Sequence, residues 1–452
     1  MWWALYLVFL QAAGYALVSR LARHRSRLEI AGLSACLGPG VFGLCLVFLS
    51  MLGLRPGRAE VLILGSLAVI AAAISLYKRK GNDAIEPPEV QRPSARLWTG
   101  ACLVAIAYGA VAVAADVAIY PTMEWDAFGI WQLKGEVLAK SALAPRPAYF
   151  ENLNLSYSHL RYPVLAPMMS AGVHALTGRL GDDGQKTPAM LLYLGLVAVV
   201  YSTIRRGSGH LAAITVTTMF ADLPVFFRYA GSGTAEMALA TFYGGSVACL
   251  LRWWKQRDWS NLVLTALFSA CMAWTKNEGQ ALAGINAGIF VCLALSRRQW
   301  AQCAAFLAIV FILFSPWLIY IRNLPRTDED YTGRLNLREL VSHVDRVPVI
   351  VRGTVRAMAK WIDTGPQRLT APWGMFWFVL AVVAIAGWRR FQRGEVVLLW
   401  ILLGLHLLVY VPPYMVTPWN LQGLMNTTID RLLMHAAPVG AMLMGAMWGP
   451  AD

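Results

Sequence analysis

Apolar runs long enough to cross a lipid bilayer recur along the whole sequence. A helix needs about 20 apolar residues to cross the hydrocarbon core, where backbone polar groups must be satisfied within the protein. The sequence therefore predicts an all-α polytopic membrane protein with about 13 transmembrane helices. The segments are 1–19, 30–53, 60–77, 97–120, 188–204, 211–227, 234–251, 260–276, 279–295, 301–321, 373–388, 395–412 and 431–448.

Composition supports this class and explains the basic net charge. Of 452 residues, 58% are hydrophobic and 14% are charged, whereas soluble domains carry about 25% charged residues. The net charge of +14 is concentrated in a few segments between the apolar runs, which hold 19 Lys and Arg against 5 Asp and Glu. These segments are 20–29, 78–96, 205–210, 252–259, 296–299 and 388–393. Lys and Arg are enriched in cytoplasmic loops, so the charge predicts orientation, with no nucleic-acid partner.

A charged, proline-rich stretch at 78–96 divides the chain. We predict an N-terminal three-span bundle with a cytoplasmic linker at 1–96, followed by a transmembrane body at 97–452. The body carries outer loops at 121–187 and 322–372. Helices lying at the membrane surface are predicted in these loops, at about 127–140, 163–178 and 347–361. The seven cysteines form no CxxC pair, which indicates neither a metal site nor a disulfide framework.

The first outer loop begins with two carboxylates, Glu124 and Asp126, directly after an apolar run. The segment that follows has apolar residues at helical spacing, typical of an interfacial helix. Carboxylates at a membrane boundary suggest chemistry on a lipid-borne substrate. Alternatively, Asp126 only caps the helix, since Asp is a favoured cap residue.

Other ionisable residues, with the neutral Asn277 among them, gather at the predicted outer ends of the spans. Such groups are costly near lipid and are therefore candidates for function. The set comprises His159, Arg161, Asp222, Arg228, Glu236, Lys276, Asn277, Glu278, Asp430 and Arg431. A carboxylate that takes a proton and cations that neutralise a leaving phosphate are what transfer from a phosphate ester requires.

Structural explanations compete with this functional one. Glu236 and Lys276 could form an ion pair that only joins two helices. Asp430 could cap a helix opened by Arg431, and Asp222 could be a turn residue. The lone histidines of the apolar spans, His406 and His435, are typical of core residues. A transporter or flippase of an anionic lipid or lipid-linked sugar is also conceivable, although it predicts charges at mid-span. A non-catalytic assembly partner is a third alternative.

Several stretches resemble the GT-C glycosyltransferases over roughly residues 97–448. They are the acidic start of the first outer loop, the Tyr-Pro-x-Leu of the next helix, RYAGSGTAEMALA, WTKNEG and TPWNLQGLMNTTIDRLLMHAAP. The branch it resembles includes bacterial lipid A aminoarabinose transferases, lipopolysaccharide-core galacturonosyltransferase-like proteins and protein O-mannosyltransferases. The three spans before residue 78 are additional to the simplest members.

The resemblance implies roles for particular residues. The catalytic acid of the family falls on Asp126, with Glu124 as the competing choice. Its phosphate-binding cations correspond to Arg431, Lys276 and Arg161. Its second acidic position, commonly Asp, is Glu236 here. The remaining candidates near the acceptor are Glu278, Asn277 and His159. No residue is assigned to a metal, and no cofactor is certain, although a divalent cation stays possible.

We therefore expect a glycosyltransferase of the inner membrane with its site on the periplasmic face. It would move a sugar from a polyprenyl-phosphate donor to a lipid or glycan acceptor, with inversion and with Asp126 as general base. Modification of lipopolysaccharide or another cell-envelope glycan fits this expectation, and a protein acceptor stays open.

Overall fold

The computed structural model describes residues 2–22, 25–79, 93–181, 183–326, 331–360 and 372–448. Within these ranges all regular secondary structure is helical, which confirms the predicted all-α class. The helices are α1 Trp2–Leu21, α2 Arg27–Met51, α3 Arg58–Arg79, α4 Pro93–Ile119, α5 Leu133–Lys140, α6 Leu165–Thr177, α7 Asp183–Ala221, α8 Pro224–Gly231, α9 Glu236–Gln256, α10 Trp259–Ala273, α11 Asn277–Leu295, α12 Trp300–Tyr320, α13 Leu337–Ser342, α14 Val347–Met358, α15 Phe376–Ala386, α16 Gly394–Val409, α17 Val411–Val416 and α18 Leu421–Trp448.

Among the described residues, 8 helices are long and apolar enough to cross a membrane, or 9 if the bent pair α8–α9 forms one span. Other predicted spans coincide with the shorter apolar helices α10 and α15 and with the C-terminal part of α18. Helix α7 covers the predicted span 188–204 and most of the span 211–227, which ends within α8. It is interrupted at Gly209, whose φ of 80° favours glycine. The polytopic membrane class is thus confirmed.

The N-terminal helices pack directly on the rest of the protein. Helix α2 lies against both α1 and α7. The Tyr6 hydroxyl of α1 donates a hydrogen bond of 2.9 Å to the carbonyl of Met169 in α6. The division at residue 96 stays a prediction, and residues 80–92 of the predicted linker lie outside the described residues.

The predicted interfacial segment 163–178 forms α6, and nearly all of its residues are buried. It packs against α2, α5 and α7, and its placement relative to the membrane stays a prediction. One helix differs from its predicted bounds. Helix α18 begins ten residues before the predicted span, because the side chain of Asn420 caps it by accepting from the Gly423 amide at 2.8 Å. The prediction that Asp430 caps a helix is therefore wrong.

Chain connections bring four segments to one end of the bundle. Helices α8 and α9 meet at a bend of 117°, which places Glu236 at the first turn of α9. Lys276 immediately precedes α11, and Arg431 lies on α18. A π-helix at Ala127–Gln132 continues into α5 and begins directly after Asp126.

Candidate active site

The Asp126 carboxylate faces a cation of a distant helix. It makes no capping hydrogen bond to its own helix, which removes the simple cap explanation. Instead, Oδ2 of Asp126 forms an ion pair with Nη1 of Arg431, 305 residues along the chain. The Asp126 side chain is 34% exposed, and that of Arg431 is 18% exposed. The carboxylate is therefore held in place while one side stays accessible.

Glu236 links three basic side chains from different parts of the fold. Its carboxylate oxygens lie 3.0 and 3.2 Å from Nζ of Lys276. Nη1 of Arg431 lies 3.5 Å from Oε1, and Nε2 of His435 lies 3.1 Å from Oε2. The carboxylate is 1% exposed, so removal of a partner leaves a buried charge less compensated. Glu236 thus fixes the relative positions of Arg431 and Lys276, two of the three candidate phosphate-binding cations.

The ion pair between Glu236 and Lys276 belongs to a larger group of charges. Lys276 also contacts Glu278, with 3.1 Å between Nζ and Oε1. A continuous chain of charges therefore runs from Asp126 through Arg431, Glu236 and Lys276 to Glu278. Coulomb attraction at these distances is strong where water is scarce, so these charges respond to any ion that enters among them.

A cavity of about 350 Å³ opens onto this chain of charges. It is lined by Trp125, Asp126, Ile130, Trp131, Tyr157, His159, Tyr162, Glu236, Lys276, Glu278, Trp419, Leu424, Thr427, Thr428, Arg431 and Leu432. We call it the charged cavity. Six of the residues singled out from the sequence as site candidates face it, together with aromatic side chains.

A second cavity of about 330 Å³ adjoins the first and is more apolar. The two share Tyr162, Glu278, Leu424, Thr428 and Leu432 as walls. The candidates Arg161 and Asn277 line this second cavity. Nη1 of Arg161 donates 2.9 Å hydrogen bonds to the carbonyls of Ile321 and Leu324, which anchors the arginine at the cavity wall.

Glu124 takes a different position from Asp126. Its carboxylate accepts from Nε and Nη2 of Arg228 at 2.9 and 2.7 Å. Neither residue lines the charged cavity. The Asp430 carboxylate also points elsewhere, accepting from Nε1 of Trp373 at 3.0 Å. Of the two competing carboxylates, only Asp126 lines the charged cavity.

Two buried groups of the site were not identified from the sequence. His435 lies between Glu236 and Tyr410, whose hydroxyl is 3.1 Å from Nδ1. Lys134 of α5 is fully buried and donates to the backbone carbonyl of His159. The sequence around Lys134 and His435 does not indicate these contacts, because their partners come from distant segments.

Burial controls the protonation of Lys134 and His159, which lie in the loop region between α4 and α6. It lowers the pKa of Lys134 well below its ordinary value, because the charged form loses hydration. The pKa of His159 falls to about 4, mainly through burial and further through the charge of Lys134. His159 stacks on Tyr162 with 4.4 Å between ring centroids. At neutral pH it therefore presents an uncharged ring to the charged cavity.

The donor set does not fit a resident metal ion. Within the described parts of the chain, no three His, Cys, Asp or Glu side chains converge on one point. The Glu236 oxygens already face Lys276, Arg431 and His435. Cations thus occupy the place where a metal would need ligands.

Residues 161–320 match the family model described as dolichyl-phosphate-mannose-protein mannosyltransferase. The matched stretch includes Arg161, Glu236, Lys276 and Glu278 of the two cavities. The match supports the resemblance to the GT-C superfamily, and with it a membrane glycosyltransferase of the GT-C type. Neither the curated proteins nor the solved structures contain a significant match to the chain.

Proposed function

We propose that this protein transfers a sugar from a polyprenyl-phosphate donor to a hydroxyl acceptor at the outer, periplasmic face of the inner membrane. The observation that carries the proposal is the charged cavity, where Asp126, Arg431, Glu236 and Lys276 converge from segments far apart in sequence. The family match over residues 161–320 supports the same class of reaction. Lipopolysaccharide or another envelope glycan is the acceptor class we favour.

In this mechanism the acceptor hydroxyl attacks the anomeric carbon of the sugar. Asp126 takes the hydroxyl proton as general base. The bond between the anomeric carbon and the phosphate oxygen breaks, and the electron pair leaves with the polyprenyl phosphate. Arg431 and Lys276 stabilise the negative charge of this leaving group. A single attack from the opposite face inverts the configuration of the anomeric carbon.

The Asp126–Arg431 ion pair gives donor binding a second role. A donor phosphate that binds Arg431 competes with the Asp126 carboxylate for the same guanidinium. The base is then released towards the acceptor only when the leaving group is in place. Glu236 keeps Arg431 and Lys276 in position throughout, since it contacts both.

The adjoining apolar cavity suits the isoprenoid part of the donor. Tyr410, Pro413 and Tyr414 line it on the side of α16 and α17. Because it shares a wall with the charged cavity, a chain lying there presents its phosphate near Arg161 and Lys276. This arrangement separates lipid recognition from the chemistry.

The decisive test compares Asp126→Asn with Glu124→Gln in purified protein reconstituted into liposomes. Asparagine keeps the size of aspartate but not its basicity, and a general base contributes about 10²–10⁴-fold in rate. We expect Asp126→Asn to lose transfer by that order while still binding polyprenyl-phosphate donor. Glu124→Gln should lose much less, because Glu124 lies outside the charged cavity.

Product formation and donor binding are measured side by side. If Asp126→Asn transfers sugar like the parent while Glu124→Gln is inactive, the base is Glu124. If both variants transfer normally, neither carboxylate is the base and the proposed mechanism is wrong.

A further inference from the structure

A second cluster of charges lies at the other end of α9. Glu29 of α2 is buried and contacts three arginines. Nη1 of Arg25 lies 2.6 Å from Oε1, and Nη1 of Arg252 lies 3.1 Å from Oε2. Arg206 of α7 completes the group through an ion pair with Oε1. Arg252 follows Glu236 by sixteen positions on one helix, about 24 Å at the rise of an α-helix.

This cluster borders a cavity of about 210 Å³ between α7, α9, α16 and α18. Arg206, Arg252 and Lys255 supply its cations, and Glu395 supplies a carboxylate. Ser208 lines it as well, although its hydroxyl already donates to the Gly445 carbonyl at 2.7 Å. We call it the basic cavity. Its volume is below the about 300–1,000 Å³ typical of drug-sized ligand pockets, so a compact group fits.

The charges around the basic cavity are not balanced among the described residues. Arg25, Arg206, Arg252 and Lys255 face two carboxylates, Glu29 and Glu395, which leaves two positive charges. Lys255 pairs with Glu395. A third carboxylate, Asp258, lies further away and caps α10 by accepting from the Asn261 amide at 2.8 Å. Even with Asp258 included, the surroundings of the cavity stay positive.

Most of the remaining lining residues are apolar. Leu251, Leu399 and Met442 line the cavity beside the cations. The Arg206 side chain is 34% exposed, so its guanidinium is accessible from outside the bundle. Basic pockets between transmembrane helices bind the head groups of anionic lipids. Arginine pairs with phosphate through two parallel hydrogen bonds, which favours this anion.

We propose that the basic cavity binds a phosphate group, with Arg206 and Arg252 as its direct ligands. The source is an anionic lipid head group whose chains lie against the neighbouring helices, or free phosphate. This site is separate from the charged cavity and takes no part in the transfer chemistry. Glu29 acts as the fixed counter-charge that holds the arginines in place before the anion binds.

The test measures binding directly, on the purified full chain in nanodiscs and without any transferase assay. Native mass spectrometry counts bound phosphatidylglycerol against phosphatidylcholine, and inorganic phosphate is added as a competitor. Arg206→Gln should weaken phosphatidylglycerol binding roughly tenfold, the scale of one lost charge-assisted hydrogen bond. Arg298→Gln removes an equal charge from an exposed turn and is the matched control.

Glu395→Gln provides a variant with the opposite sign. It removes a carboxylate from the cavity wall, so phosphate binding should tighten, a gain that misfolding cannot imitate. Competition by millimolar inorganic phosphate supports the site with free phosphate as the ligand, and its absence supports a lipid head group. If Arg298→Gln weakens binding as much as Arg206→Gln, or if no anion binds, the proposal is overturned.

Discussion

At the scale of single residues, His435 is a buried histidine that contacts a buried carboxylate. Its two ring nitrogens face Glu236 and Tyr410 at 3.1 Å each. We expect His435→Leu to leave the buried Glu236 carboxylate less satisfied, at a cost of about 1–3 kcal/mol in the free energy of unfolding. Transfer activity should fall as well, because Glu236 then holds Arg431 and Lys276 less firmly.

His406→Leu is the matched control for this prediction. His406 is equally buried, but its Nε2 lies 3.4 Å from the Leu432 carbonyl and does not contact Glu236. Thermal unfolding and product formation are measured for both variants. Equal losses in the two would show that His435 only fills space.

The pKa of His159 predicts a dependence of stability on pH. It is lowered from 6.5 to about 4 in the folded protein, so the folded state binds a proton less readily than the unfolded state. This contribution to stability is complete above about pH 6.5 and is lost as the pH falls towards 4. Unfolding temperatures between pH 4 and 7 should therefore drop more steeply for the parent than for His159→Asn.

Asparagine suits this position because His159 has φ of 51°, in the left-handed region that Asn tolerates. The variant removes the titrating ring without straining the backbone. Parallel pH profiles of the two proteins would contradict the burial-driven shift in pKa.

The sequence was sufficient to identify the charged residues next to apolar spans as candidates for the site. Asp126, Glu236, Lys276 and Arg431 were identified because charges at the ends of apolar spans are costly. Lys134 and His435 were missed because one lies in a polar loop helix and the other in an apolar span. Their roles depend on partners brought by tertiary packing, which no local pattern records.

At the scale of elements, close packing of α1 on α2 depends on Gly38. A Cβ at Gly38 would lie 2.0 Å from the Leu10 carbonyl oxygen, so the helices must move apart to accept it. Small residues permit such close approach between membrane helices. We expect Gly38→Ala to destabilise the protein by about 1–3 kcal/mol, the usual cost of overpacking.

Gly288 of α11 is the control, since a Cβ there meets no atom within 4 Å. Gly288→Ala should be neutral or slightly stabilising, because alanine favours the helix. The comparison is made by thermal unfolding in detergent. A smaller loss for Gly38→Ala than for Gly288→Ala would contradict the packing argument.

The helical class could be predicted from apolar runs, whereas helix bounds and depth could not. Helix α18 starts earlier than its apolar run because Asn420 caps a polar first turn. Helix α6 is short and apolar, and only its neighbours decide that it is buried within the protein. Hydropathy reports the length of a segment but not what surrounds it.

At the scale of the whole molecule, the distribution of Lys and Arg predicts the orientation. Loops 121–187, 322–372 and 413–430 should be outside, and 78–96 and 252–259 inside. The exposed positions Asn154 and Arg298 represent the two sides. With a membrane-impermeant maleimide on intact cells, we expect Asn154→Cys to be labelled and Arg298→Cys to react only after lysis.

The parent protein serves as the background for its native cysteines. Labelling of Arg298→Cys alone on intact cells would show that the predicted orientation is inverted. The charged cavity would then lie on the inner side of the membrane. Labelling of both positions from one side would show that the number of crossings between them is wrong.

The ion pair between Asp126 and Arg431 also has a kinetic consequence. While it persists, a water molecule in the charged cavity meets a carboxylate that is already paired with a guanidinium. In the mechanism proposed above, donor binding frees Asp126, which can then act on any hydroxyl present, including water. We therefore expect the donor to bind before the acceptor. When the acceptor is scarce, water should take its place and the donor should be hydrolysed.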